Sequence, residues 1–371
     1  MRLRFAVAAL MSAALLSAAL SPRASAAGER AALAVSTPPV PFAYRGGSSL
    51  AYELYIKAPC EGRMEISSVE ILSGEGEPLA IFEGELLKNH LRPPDRAVPG
   101  YIAFLWLGFD EGERLPKSIS HRVRYIEGGV EKLSEGAEVR IHGAKTVLIA
   151  PPLRGDGWVA VNGPSNDDRH HRMSVLSVNG APFIGQRFAV DWMKLGPDGK
   201  IFTGKGGRNS DYPCYRQELL AVADGVVADA RDGIPENRPL TVERAVPMTV
   251  STLAGNYVVL KIGDKAYAFY AHLVPGSLRV KIGDRVKRGD VLGLLGNSGN
   301  SDAPHLHFHV CDGMDYLFSE GIPYALSSYA LEGRAEGIEE LFTKRRAWKP
   351  SGPSAEVKGE LVADRDVISW Q

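Results

Sequence analysis

Basic charge, cysteine and long apolar runs are all scarce in this chain. Lys and Arg number 43 against 44 Asp and Glu, for a formal net charge of −1. Without the three arginines of residues 1–26 the balance falls to −4. No basic field remains to drive phosphate binding, which excludes a dedicated nucleic-acid protein. Three cysteines in 371 residues exclude a disulfide-dense scaffold. Cys60, Cys214 and Cys311 allow one disulfide and one free thiol, but their spacing does not choose the pair, and none has metal-site spacing. The run Phe5 to Leu20 is short for a membrane span. No later stretch approaches the ~18 unbroken apolar residues that a span needs, so no membrane span is expected in the mature protein.

That first run has a different meaning. Arg2 and Arg4 precede it, and Ala24-Ser25-Ala26 supplies small residues after it. The pattern predicts a cleaved secretory signal over residues 1–26. The expected location is therefore secreted, periplasmic or at the cell envelope. The length suggests two domains beyond the signal. Apolar content of 44% is enough for real cores, while 40 Gly and 24 Pro favour turn-punctuated β-structure over a helical bundle.

From Pro38 to Leu148 the reading is all-β. Leu50, Tyr52, Leu54 and Ile56 alternate as on a half-buried strand, and Met64 to Leu72, Tyr101 to Leu107, His121 to Ile126 and Glu138 to Leu148 add further short strands. An Ig-like β-sandwich over 27–150 is expected. Its histidines, His90, His121 and His142, stand apart from one another and read as structural or exposed. Ala150 to Gly157, rich in Pro and Gly, reads as a linker to a second domain over 151–330. A C-terminal extension, 331–371, is expected to hold a helix between Glu332 and Arg346 and one last strand.

Chemistry concentrates in the second domain, where six of the nine histidines lie between His170 and His309. In His305-Leu306-His307-Phe308-His309, residues two apart share a strand face, so the three imidazoles point one way and Leu306 and Phe308 into a core. The loop Gly296 to Ser301 precedes them. Imidazoles at that spacing on a rigid strand form a platform for metal or acid–base work. Tyr267 to Leu273 carries His272 at the end of its alternation. Gln186 to Trp192 places Asp191 at the end of an apolar strand, where a carboxylate is costly to bury unless paired or coordinated. Each has a plainer explanation: a polar sheet face, a structural histidine, a turn-capping Asp beside Gly196-Pro197-Asp198-Gly199.

Asp191, Tyr270-Ala271-His272 and the run from Gly299 to Phe308 together resemble the lysostaphin/LytM-type zinc endopeptidases. The phrases Ala221 to Val227, Gly255 to Leu260 and Val280 to Gly289 match as well, so the likeness covers roughly residues 160–315. It implies a mostly β protein with an antiparallel β-sheet metallopeptidase core. It also implies Zn2+ held by Asp191, His307 and one further histidine, with His272 and His305 as catalytic histidines that do not bind the metal. The N-terminal half is similar, more weakly, to β-sandwich modules that precede such domains.

One residue departs from the pattern. The family's first ligand, a His four residues before the Asp, is here Arg187, and a protonated guanidinium cannot coordinate zinc. His170 and His171 are the candidates to replace it. Asn179-Gly180 is a hairpin signal between Arg172 to Val178 and Pro182 to Val190, and a two-residue loop makes paired numbers sum to 359. His170 then falls opposite Ala189, beside Asp191; one extra loop residue brings His171 there instead. A His-Arg pair before such a hairpin also resembles a subgroup of the family that retains the His directly before Arg, which favours His171. Three ligands leave one zinc position open, as hydrolytic zinc sites require. The expected function is peptide-bond hydrolysis in peptidoglycan stems or cross-bridges. Two rival readings are a degenerate domain that binds cell wall or activates a hydrolase, and a lipoyl- or biotin-carrier-like domain. The second lacks a lysine on a suitable hairpin tip.

Overall fold

The computed structural model describes residues 30–370 except 60–63, 144–145, 168, 179–180 and 344. The signal expected at 1–26 lies outside these residues, as do Cys60 and the Asn179-Gly180 turn. The chain is mostly β, with several antiparallel sheets. Among the described residues no helix is long and apolar enough to cross a membrane.

Two antiparallel sheets make up the N-terminal half. One is built on Gly47–Lys57 paired with Tyr101–Phe109, and the other on Met64–Ser73 and Ser118–Glu127 with Val130–Arg140. Leu50, Tyr52, Leu54 and Ile56 meet Val69, Ile71, Val123 and Tyr125 in the core between them. His121, 1% exposed, joins that core and shares a 2.9 Å hydrogen bond with the Tyr52 hydroxyl, the structural role expected of it. The alternation of Gly47–Lys57 predicted solvent on its other face. Ala51 and Glu53 on that face are nevertheless buried, at 5% and 3% exposure, because the segments that carry Arg172 and Arg187 lie against it. Ile102 and Phe104 of the neighbouring strand pack there with Ile184, and Phe42 meets Phe188 edge-to-face at 5.2 Å.

A ten-stranded sheet dominates the rest, with two-stranded sheets beside it. Its central strands run in the order Asn256–Gly263, Ala266–Leu273, Leu306–Cys311, Val190–Lys194, Gly155–Val161 and Asp366–Trp370, all antiparallel. The Pro/Gly-rich stretch read as a linker is stitched into this body. Val147–Ile149 pairs in parallel with Tyr324–Leu326, and the Ala150 N–H donates to the Val222 carbonyl at 2.8 Å. The helix expected over 332–346 is reduced to Ile338–Phe342, because Tyr329–Arg334 pairs with Asp366–Trp370 and tertiary pairing overrides helix propensity. The last strand is present and central.

Two strand readings near the site also change. Leu176–Val178 pairs with Ala181–Phe183 in the expected register, Leu176 opposite Phe183, but the ladder stops after three pairs. Beyond it the chain turns: the Arg187 N–H bonds to the Ile184 carbonyl and the Ala189 N–H to that of Gln186. Gly185 has the Tyr316 carbonyl packed where a Cβ would stand, so this segment is pressed into the body instead of running on as a ribbon. His170 and His171 therefore reach the site from a turn, not from a strand opposite Ala189.

Candidate active site

Three adjacent strands bring the chemistry together. Asp191 pairs directly with His307, and Ala271 with His307 on the other side. Asp191 also lies opposite Val161, whose successor Asn162 ends the Gly155–Val161 strand. The Asp191 carboxylate is the hub. His307 Nδ1 lies 3.0 Å and His305 Nε2 3.4 Å from its Oδ1, and His171 Nε2 lies 3.5 Å from its Oδ2. Asn162 Nδ2 donates to Oδ2 at 2.9 Å. Burial would raise this carboxyl, but the neighbouring His171 and His305 and hydrogen bonds from His305 and His307 hold it well below the usual carboxylate range.

Each histidine is oriented through its other ring nitrogen. His171 Nδ1 faces the Asn162 carbonyl at 2.8 Å, His272 Nδ1 that of Ser298 at 2.8 Å, and His305 Nδ1 that of Ala303 at 2.8 Å. A carbonyl can only accept, so all three Nδ1 atoms carry their proton, and the Nε2 atoms are left for chemistry. His272 holds φ at +67°, a strained conformation for a non-glycine residue. Burial, with His305 and His307 nearby, pushes its pKa well down. Burial also lowers His305, but the Asp191 carboxylate more than compensates and raises it. Burial brings His307 down to about 4.

His305, His307 and His309 share one side of the strand as expected, but they are not an exposed face. His309 is completely buried, with Nδ1 3.0 Å from His307 Nε2 and Phe269 against its ring at 4.9 Å. Phe269 in turn stacks on Tyr316, which closes that end. A cleft of about 480 Å3 at the site is lined by Asn162, His170, Asp191, His272 and His305 together with the apolar Leu240 and Val242.

The donor set can be tested for fit to a metal. His170, His171 and Asp191 offer ligand atoms all within 4.8 Å of one another. In a tetrahedral site with bonds of about 2.0–2.1 Å, ligand atoms sit roughly 3.3 Å apart. His307, outside that group of three, has Nδ1 3.0 Å from Asp191 Oδ1, and His171 Nε2 lies 3.5 Å from Oδ2; each is near that value, on different oxygens of the carboxylate. Two imidazoles and a carboxylate suit zinc among the common divalent metals. Arg187 does not intrude: it forks onto Glu53 and donates to the Gly321 carbonyl at 2.7 Å. Asn162 and His309 were not singled out as partners in the sequence. Asn162 follows an apolar strand directly and has a left-handed φ of +49°, a conformation that Asn adopts more readily than most residues.

Residues 211–317 match the family model of peptidase family M23. The chain carries a peptidase family M23 domain. The match includes His272, His305 and His307, while His171 and Asp191 precede it. An uncharacterized metalloprotease of Buchnera aphidicola subsp. Baizongia pistaciae is 35% identical over 92 residues, 25% of this chain and 19% of that protein. The peptidoglycan DD-endopeptidase ShyA of Vibrio cholerae is 44% identical over 57 residues, 15% of this chain and 13% of its own. The glycyl-glycine endopeptidase ALE-1 of Staphylococcus capitis is 46% identical over 55 residues, 15% of each. The chain thus spans less than a fifth of the length of these relatives. Among solved structures, the catalytic domain of lysostaphin from Staphylococcus simulans is 22% identical, with 35% of this chain and 88% of that one covered at a TM-score of 0.21. That score is too low for strand-by-strand comparison.

Proposed function

We propose that this M23 protein is an exported zinc metalloendopeptidase that hydrolyses peptide bonds in the stems or cross-bridges of peptidoglycan. The observation that carries the reading is the arrangement around Asp191: two imidazole nitrogens at metal-ligand spacing from its carboxylate, with two more histidines lining the cleft. His171, Asp191 and His307 hold the metal. His171 is preferred to His170 because it is buried, with Nδ1 fixed and Nε2 toward Asp191, whereas His170 is exposed. His309 Nδ1 lies 3.0 Å from His307 Nε2 and would accept its proton once a metal takes His307 Nδ1. A zinc held there would supply Lewis-acid polarisation of the scissile carbonyl and of the attacking water.

His272 and His305 move the protons. Each has Nδ1 locked on a backbone carbonyl, which makes Nε2 the nitrogen that exchanges a proton, and their ring centroids lie 4.8 Å apart. One takes the proton from the attacking water, and one delivers a proton to the leaving amine nitrogen or to the oxyanion. A cation on Asp191 weakens that carboxylate's pull on His305, so geometry assigns the two as a pair without dividing the tasks.

Muropeptide digestion followed by mass spectrometry, alongside zinc analysis, tests the reading. The mature protein should hold about one zinc per chain and release peptides cut within stems or cross-bridges. His305→Ala and His272→Ala should abolish cleavage with most zinc retained, and His171→Ala should lose both. A protein that binds no zinc after reconstitution, or that cleaves normally without His305, refutes it.

A further inference from the structure

Two arginines tie the proposed metal ligands to the N-terminal sandwich, and both end on one carboxylate. Arg172, directly after His171, is 1% exposed. Its guanidinium pairs with Glu53, donates to the carbonyls of Tyr52 at 3.0 Å and Leu105 at 3.3 Å, and lies over the Phe104 ring at 5.2 Å. Arg187, four residues before Asp191, grips the same Glu53 through Nε at 3.0 and 3.2 Å and through Nη2 at 2.7 Å. Arg187 also pairs with Glu320. Glu53 is itself 3% exposed, on the face of its strand that alternation assigned to solvent.

We infer that Glu53 is a positioning residue for the metal centre, and that the N-terminal sandwich is thereby a structural part of that centre. The inference rests on His171 and Asp191 being ligands, as proposed above. His171 lies in a turn, outside any strand; its Nδ1 faces the Asn162 carbonyl, and its ring lies against those of His170 and His307. A ligand placed this way needs outside support to stay within the ~0.5 Å that metal geometry tolerates. The neighbouring guanidinium supplies it, since bidentate and multiply bonded arginines fix direction as well as distance. A buried ion cluster is weak evidence for stability, because apolar side chains of similar volume are often as good or better. What charges add is a single geometry. Two segments that carry two ligands converge on one carboxylate, so their relative placement is set from the sandwich.

The test uses the full chain in three variants. Glu53→Gln weakens the joint. The combined Glu53→Leu, Arg172→Met, Arg187→Met replacement removes the three buried charges together; Glu320 loses its Arg187 partner but its side chain is 16% exposed, so no fully buried ion is stranded and the fold should survive without the tether. Glu70→Gln, which cuts the Arg122 pair on the other sheet of the sandwich, is the control. One readout is the zinc Kd from competition with a chromophoric chelator. The other, in metal-free protein, is the pair of imidazole 15N shifts of His171, which report the Nδ1–H tautomer. Glu70→Gln should match wild type in both. Glu53→Gln and the combined variant, folded by circular dichroism, should bind zinc about 10–100-fold more weakly and show His171 averaged between tautomers. A folded combined variant with the wild-type Kd and the wild-type tautomer overturns the inference and leaves the cluster as a join between the two halves. If wild type itself binds no zinc, the proposed function fails, and the tautomer comparison still decides the positioning.

Discussion

Removal of the Asn162 side chain should weaken the metal site without touching any proposed ligand. Its Nδ2 donates to Asp191 Oδ2 at 2.9 Å, while its backbone carbonyl holds His171 Nδ1 at 2.8 Å. Two supports thus come from one residue, and substitution can separate them. Asn162→Gly keeps the carbonyl and accepts the φ of +49° without strain, so only the bond to the carboxylate is lost. A hydrogen bond to a charged group contributes about 1.5–3 kcal/mol. If that support acts through ligand orientation, zinc affinity should fall about 10–100-fold, with kcat falling alongside. Asn162→Ala loses the same bond and adds roughly 1–2 kcal/mol of left-handed backbone strain. It should therefore bind zinc no better than Asn162→Gly and melt at a lower temperature. Chelator competition and calorimetry measure the two effects separately. Zinc affinity within twofold of wild type in Asn162→Gly would refute the claim that the carboxylate depends on this bond.

Three further outcomes follow from the buried groups. Two guanidinium neighbours overcome the effect of burial and bring Glu53 down to about 2 from the ordinary 4.5. A folded-state pKa below the unfolded one stabilises at neutral pH, here by roughly 3 kcal/mol, and that stability is lost as pH falls from about 4.5 towards 2. Denaturant melts along this range should be flatter in the combined Glu53, Arg172 and Arg187 variant; equal slopes would contradict the assignment. Burial raises Cys214 and Cys311 to about 12, and both are free thiols, so in a Cys60→Ser background a disulfide reagent at pH 8 should find no reactive thiol until the protein unfolds. Arg187→His, which restores the resembled family's residue, should fail to tighten zinc binding and should lower the melting temperature. It strands Glu53 and Glu320, which Arg187 now holds.

The strands were legible wherever one face meets a core and the other meets something different. Leu50 to Ile56 and Met64 to Leu72 alternate because two sheets close on each other across them, Tyr101 to Leu107 is apolar throughout because its other face packs on Ile184, and each became a strand near its expected bounds. Alternation identifies the core side but is silent about what covers the other. Glu53 is a charged residue in a polar position of the pattern, which reads as solvent-facing. Its burial depends on Arg172 and Arg187, more than a hundred residues away, and local periodicity carries no trace of so distant a partner.

The same limit separates the parts of the site. His305 and His307 are two apart on a strand, so their common side follows from pleat geometry alone, and direct pairing puts Asp191 beside His307. His171 cannot be placed by such reasoning. A hairpin register predicts position only while the ladder lasts, and this one ends at Leu176 opposite Phe183, before it reaches the histidines. Beyond that point the chain is guided by single contacts: Gly185 against the Tyr316 carbonyl, Arg172 on Glu53, His171 on Asn162. Arg187 then takes on a positive meaning. At the position where the resembled family has a ligand, this chain has a side chain that binds carboxylates instead of metals. Its guanidinium is engaged with Glu53 and Glu320, so the residue that interrupts the pattern is also one that fastens the altered segment in place.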